Sequence, residues 1–299
     1  MPTRAALCLL ILAAISRCDA GARPEPAPLM MLEVVERRAS HVIVISIDGL
    51  RPDAIERAPA KHLQALIERG AYCATAKTVS PTVTLPGHVS MLSGLDVGRH
   101  GVTANEELPG FFMAPTVFTA AKNMNLRTGI FFSKSKLRYL ARPGAVDVAY
   151  GTAIVTVEPD AATTAAALAR VFAERWAERS FDFAFVHLRE PDEAGHKEGW
   201  MTEAYLRGVA EADAAVGSIL ETVRASERVA VIVTADHGGT GLTHADDPVI
   251  PWICVGPGVT PGLKIGREIR TFDTAATALL WLGLRPHHID GRPVEEVFK

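Results

Sequence analysis

The 299-residue chain is 48% hydrophobic and 22% charged, a balance that excludes an intrinsically disordered chain and one dominated by membrane spans. A formal net charge of -3 supplies no basic face, so no specific nucleic-acid binding is expected. No repeat, low-complexity tract or Pro/Ser/Gly-rich linker divides the sequence beyond residue 40, which favours one domain over residues 41–299.

Residues 1–20 read as a signal peptide. Arg4 is the positive n-region, and Ala5–Ile15 is an apolar run too short to cross a bilayer. Cys18-Asp19-Ala20 places small residues around a cleavage point. Lipidation of Cys18 is the competing reading, and Arg17 fits it poorly. A lead segment, Pro-rich at its start, follows over residues 21–40. The mature chain is expected to be exported, periplasmic or extracellular, with no transmembrane segment. It would keep only Cys73 and Cys254, which lie in apolar runs and read as buried free thiols.

Val42–Ile47 reads as a buried strand ending at Asp48-Gly49, followed by a helix over Ala54–Glu68 that stops at Gly70. Tyr72–Val79 reads as a second strand. Ser80–His88 leaves it and opens a helix through Val89–Leu92, with Pro86 in its first turn. A helix over Val117–Met124, a strand over Thr128–Phe132 and a helix over Ala161–Glu178 come next. Phe181–Val186 and Val229–Val233 read as buried strands around a long helix at Thr202–Arg224, and a further strand runs between Pro248 and Pro257. This alternation predicts an α/β fold with a mainly parallel central sheet and helices on both faces. In such folds sites form beyond the carboxyl ends of strands.

Polar clusters occur there. Asp48 closes the first strand, Asp192 and His196 follow the Phe181–Val186 run, Asp236-His237 closes Val229–Val233, and His244 lies a few residues on. Each alone is as well explained by a cap, a turn or a satisfied histidine. Together, three carboxylates and three imidazoles form an N/O ligand set suited to Zn(II) or Mn(II). A Thr84 hydroxyl at a helix start would lie at the positive end of the dipole, although it reads equally as an N-cap.

These residues carry a resemblance to the alkaline phosphatase superfamily and, within it, to the type I phosphodiesterase/nucleotide pyrophosphatase family. Ile47-Asp48-Gly49 resembles its first metal motif, Pro81–Pro86 its nucleophile motif, Glu190–His196 its DxxxH motif and Thr234–Gly238 its Asp-His motif. Thr271–Ala275, Leu282–Leu284 and Asp290–Pro293 resemble the superfamily's closing segment. The resemblance implies a single catalytic domain that hydrolyses small phosphate esters with two divalent ions. One ion would be held by Asp192, His196 and His244, the other by Asp48, Asp236, His237 and the Thr84 oxygen. Thr84 would attack phosphorus and form a phospho-threonine intermediate. His287 and His288 are the other candidates for the His244 role and read as a solvated turn.

By the same resemblance, Asn105 would donate to a phosphate oxygen. Lys136 and Arg138 resemble a Lys-x-Arg pair that contacts substrate in threonine-dependent phosphomonoesterases, which keeps a monoesterase reading beside the diesterase one. Both also read as part of a solvated basic cluster with Lys134 and Arg142. His88 and His100 read as packing or turn residues, and Phe111 and Phe112 as core. A sulfatase is disfavoured, because Thr84 cannot become the aldehyde hydrate and His88 stands where that motif has arginine. A secreted binding protein on an inactive hydrolase scaffold is disfavoured because no ligand has been lost.

Overall fold

The computed structural model describes residues 30–154, 163–244 and 247–298. The predicted leader and the first two residues of the predicted Ala161–Glu178 helix lie outside the described residues; the helix itself starts at Ala165, with Thr164 as its N-cap. Eight strands form the main sheet in the order β5-β4-β6-β2-β7-β8-β3-β9. They are β2 (His41–Ile47), β3 (Ala71–Lys77), β4 (Thr128–Phe132), β5 (Val148–Gly151), β6 (Phe183–Leu188), β7 (Val229–Thr234), β8 (Val249–Val255) and β9 (Leu263–Lys264). All neighbours pair in parallel except β8, which is antiparallel to both β7 and β3. The mainly parallel sheet expected from the β-branched runs is therefore present. A separate antiparallel pair joins β1 (Met31–Val34) to β10 (Leu284–His287).

Alternation along the strands shows why helices are needed on both faces. Phe183 and Phe185 of β6 meet Phe118 of α5 (Val117–Asn123) and His88 of α3 (Thr84–Ser93), which the short α4 (Val97–His100) follows. Phe131 of β4, the register partner of Val186, points the other way onto Phe172 of α6 (Ala165–Glu178). On that second face lies α8 (Glu203–Val223), whose buried Tyr205, Val209, Ala212, Val216, Ile219 and Val223 recur at helical spacing.

The predicted Ala54–Glu68 helix is two helices, α1 (Pro52–Arg57) and α2 (Lys61–Arg69). Pro59 is the reason. The residue before a proline is driven out of the helical region, and Ala58 is extended at φ -85, ψ 158. The predicted Phe181–Val186 strand begins and ends two residues later. Phe181 instead packs in an aromatic cluster with Phe131, Phe172 and Trp176. Cys73 and Cys254 are buried and free, as their apolar surroundings suggested.

Restarting at Lys61 leaves α2 capped by Ala60, which has no side-chain acceptor. Asp213 of α8 performs that role across the helix interface, accepting from Leu63 N at 2.7 Å and His62 N at 3.2 Å. Asp213→Ala should therefore lower stability by about 1–3 kcal/mol, measured by urea unfolding. Uptake of added Zn(II) should match wild type, since Asp213 bonds Leu63 and His62 and belongs to neither candidate ligand group. A stability loss below the error of the measurement would remove this capping role.

Candidate active site

The register of the sheet assembles the site. Ser46 of β2 pairs with His187 of β6 and with Thr234 of β7, and Phe132 of β4 pairs with His187. Four strands thus end almost level, and Asp48, Ser133-Lys134, Glu190–Asp192 and Asp236-His237 emerge at one edge. Asp192 and His196 lie one turn apart on α7 (Glu190–Glu198), 3.5 Å between Oδ1 and Nε2. Gly49 lets the Asp48 turn approach α7. Its φ is +68, and a Cβ there would meet the Asp192 Cα and Cβ at 3.1 Å.

Two groups could hold metal ions: Asp192, His196 and His244, and Asp48, Asp236 and His237. The donor chemistry fits. His196 Nδ1–H donates to the Leu242 carbonyl at 3.0 Å, His237 Nδ1–H to Gly238 at 2.8 Å and His244 Nδ1–H to Thr82 at 2.7 Å. Each bond fixes the tautomer and leaves an Nε2 lone pair for a cation. Asp48 Oδ1, Asp192 Oδ1, Asp236 Oδ2 and His237 Nε2 are buried with no hydrogen-bond partner among the described residues. The three oxygens lie 3.3, 3.7 and 3.3 Å from that nitrogen. Unpaired buried acceptors are costly unless a cation receives them. His287 lies elsewhere, half-exposed beside Glu33 at 3.3 Å, so the His244 alternative does not join either group.

Thr84 is the first residue of α3, one position later than an N-cap; Val83 holds that place. Its hydroxyl is 3.3 Å from Lys134 Nζ. Asn105 Oδ1 accepts from Leu85 N at 2.9 Å, which commits the oxygen and leaves the Asn105 NH₂ as the group that can donate elsewhere. His88 supports Thr84 from beneath: its Nδ1–H donates to the Thr84 carbonyl at 2.7 Å, and its Nε2 accepts from the Ser46 hydroxyl at 2.8 Å. Burial holds His88 well below the usual histidine range, so it stays neutral. His100 bonds Ser90 at 2.8 Å and Phe112 is buried, in keeping with packing roles.

The basic segment departs from its expected placement. Lys134, read as solvated, turns inward to the centre of the site, its side chain only 16% exposed. Its Nζ lies 2.6 Å from Asp48 Oδ2 and 2.5 Å from Asp192 Oδ2. Burial opposes its charge, yet Asp48, Asp192 and Asp236 raise its pKa and keep it protonated. Lys136 is half-buried with Nζ on the Asn105 carbonyl at 2.6 Å, and Arg138 stacks on Phe111 at 5.2 Å. His187, which the sequence did not single out, is buried on β6 and bonded to Asp48 Oδ2 at 2.8 Å. Burial pushes Asp236 up to about 7, and the neighbouring Asp48 charge adds to this.

A family model described as type I phosphodiesterase/nucleotide pyrophosphatase matches residues 42–253. The chain belongs to this family. The resemblance read from its motifs thus holds at family level. A bis(5'-adenosyl)-triphosphatase, enpp4 of Xenopus laevis, is 28% identical over 235 residues, covering 73% of this chain and 51% of its own length. GPI ethanolamine phosphate transferase 1 of Gibberella zeae is 28% identical over 233 residues, 69% of this chain and 23% of its own. The chain spans about half the length of the triphosphatases it matches. Among solved structures, murine ectonucleotide pyrophosphatase/phosphodiesterase 5, as an inactive variant with AMP, superposes with a TM-score of 0.72. That match has 13% identity and covers 88% of this chain and all of that one. A phosphonate monoester hydrolase from Silicibacter pomeroyi gives 0.65 at 17% identity, covering 87% and 76%. Both share the alkaline phosphatase-like fold. Among the described residues no helix is long and apolar enough to cross a membrane.

Trp200 reports on the first ligand group, since its indole lies 5.0 Å from His196 and 6.3 Å from His244. Mn(II) taken up there is expected to quench Trp200 emission, and Trp200→Phe should remove that component. Quenching that survives unchanged in Trp200→Phe would place the ion elsewhere.

Proposed function

We propose that the chain is an exported hydrolase of small phosphate esters that works by double displacement through Thr84. The observation that carries this reading is Lys134. One ammonium touches the Thr84 hydroxyl and one carboxylate from each ligand group, so nucleophile and both groups share one site. Asp192, His196 and His244 would hold one divalent ion, and Asp48, Asp236, His237 and Thr84 Oγ1 the other, as Zn(II) or Mn(II). Such ions would neutralise phosphate charge and lower the proton affinity of the Thr84 hydroxyl.

Thr84 loses its proton to solvent, and its oxygen bonds to phosphorus as the bond to the leaving oxygen breaks; the leaving oxygen takes a proton from solvent and departs as the alcohol. Lys134 stays protonated, so it cannot serve as the base, and it stabilises the threonine alkoxide instead. Asn105, its carbonyl oxygen engaged by Leu85 N, presents its amide to a phosphate oxygen. Water then attacks phosphorus from the opposite side, releasing phosphate and restoring the hydroxyl. Thr84→Ala should reduce kcat by about 10³-fold or more, with Thr84→Ser partly active. Phosphate trapped on Thr84 by acid quench should be found by mass spectrometry. A Thr84→Ala enzyme of near-normal kcat would rule out the double displacement.

A phosphomonoesterase is the second reading, and Lys134 favours it. A monoester carries one more anionic oxygen than a diester and gains more from a cation beside the nucleophile. Lys134→Ala should lower kcat/KM for 4-nitrophenyl phosphate at least about 10-fold more than for its methyl diester. Lys136→Ala/Arg138→Ala should discriminate less, since Lys136 bonds a carbonyl and Arg138 lies on Phe111. Equal losses on both substrates in Lys134→Ala would leave the diesterase reading alone.

A further inference from the structure

His187 is a fully buried imidazole that no step above uses, and both of its nitrogens are committed. The Ser133 backbone N–H can only donate, and it faces His187 Nδ1 at 3.4 Å. Nδ1 is therefore the acceptor, with the Ser133 hydroxyl beside it at 2.9 Å. The ring proton is left on Nε2, where it is donated to Asp48 Oδ2 at 2.8 Å. A carboxylate is receiving this proton, whereas the three candidate ligand histidines give theirs to backbone carbonyls and keep Nε2 bare.

Asp48 consequently has two unlike oxygens. Oδ2 takes His187 and Lys134, while Oδ1 is buried without a partner, 3.3 Å from His237 Nε2. The far side of the ring reaches the end of β4. There Ser133 is itself fixed, its carbonyl accepting from Arg189 at 3.0 Å and Thr152 at 2.9 Å. Lys134 is the next residue. One imidazole thus ties the Asp48 turn to the segment that delivers Lys134.

We infer that His187 is a positioning residue that reserves Asp48 Oδ1 for the ion of the Asp48/Asp236/His237 group. The inference rests on the two-ion reading above. A histidine merely filling the core would be replaceable by an apolar side chain of similar volume without consequence for metal retention. A positioning histidine would not, because Asp48 could then turn its second oxygen inward or rotate away. Second-layer partners of this kind change metal affinity by about 10–100-fold.

The test is zinc release from the loaded full chain into excess chelating dye, compared for wild type, His187→Met and His187→Gln. Met fills the volume without a donor, and Gln can return an N–H to Asp48. One zinc equivalent is expected to leave His187→Met about 10-fold or more faster than wild type, and the other at the wild-type rate. His187→Gln should recover much of the difference, and the melting temperatures of the metal-free proteins should stay close. Wild-type release of both equivalents from His187→Met would overturn the inference, as would equal acceleration of both with a lowered melting temperature that Gln does not rescue. Should His187→Met not fold, His187→Gln against Ser133→Ala provides the comparison: faster release of one equivalent from Ser133→Ala supports the relay, and no change in either variant overturns it. A wild-type chain that takes up no zinc overturns both this inference and the reading beneath it. A zinc-binding wild type with an indifferent His187→Met overturns the inference alone.

Discussion

Three buried carboxylates, Asp48, Asp192 and Asp236, converge at one edge of the sheet, and their mutual repulsion is the constraint that the rest of the site answers. Like charges about 4 Å apart cost about 4 kcal/mol even at an effective dielectric of 20, and desolvation adds to that. The sheet makes the convergence unavoidable. Parallel strands in near-level register deliver their following residues to the same place. Lys134 offsets part of the charge and takes only the Oδ2 atoms of Asp48 and Asp192. The Oδ1 atoms stay bare and point inward, so the carboxylates divide their oxygens between a built-in cation and a place for others.

That division depends on side chains and loops that never meet a substrate. Each candidate ligand histidine is oriented by a backbone carbonyl, from Leu242, Gly238 or Thr82. Ligand geometry is therefore written partly into the main chain of two loops. The loop after β7 is itself pinned, since Trp200 N donates to the Gly241 carbonyl at 2.9 Å and the Trp200 indole donates to the Gly49 carbonyl at 3.1 Å. Arg51 reaches the Gly239 carbonyl at 2.8 Å from the start of α1. The turn after β2 and the loop after β7 hold one another through these contacts. A change at Trp200 would disturb the first ligand group through its ring contact with His196, and the Asp48 turn through the lost bond to Gly49.

Much of this was legible in the sequence because the relevant residues follow apolar runs. Asp48 and Asp236-His237 stand where a strand pattern stops, and Asp192 and His196 are four apart, one helical turn. The fold class follows from the same alternation. What escaped reading has physical causes. Lys134 sits in Lys-Ser-Lys-Leu-Arg, a charge run that looks solvated, and no pattern says which lysine turns inward. Its extended backbone, φ -113 and ψ 128, directs it into the site, while Lys136 and Arg138 ride the following 3₁₀ turn. His187 was hidden inside Phe-Val-His-Leu because the β6 strand runs two residues further than its apolar pattern suggested. A histidine at the last turn of a buried strand has the same signature as one that merely packs. The break at Ala58 was available from Pro59 alone, and the helical periodicity on either side masked it.

Charge balance bears on substrate choice under the two-ion reading. Three carboxylates and the Lys134 ammonium leave the inner site with two negative charges, the histidines being neutral ligands. Two divalent ions reverse this to two positive charges. A phosphate monoester dianion would bring the site to neutrality, and a diester monoanion would leave it one charge positive. In a low-dielectric pocket an uncompensated charge is costly, so the arrangement is better matched to the dianion. Without Lys134 the same ions would leave one positive charge, matched to a diester. Under that reading a single inward-turned lysine, in a run that looks solvated, would shift the electrostatic preference of the site between two substrate classes while the candidate ligands stay the same.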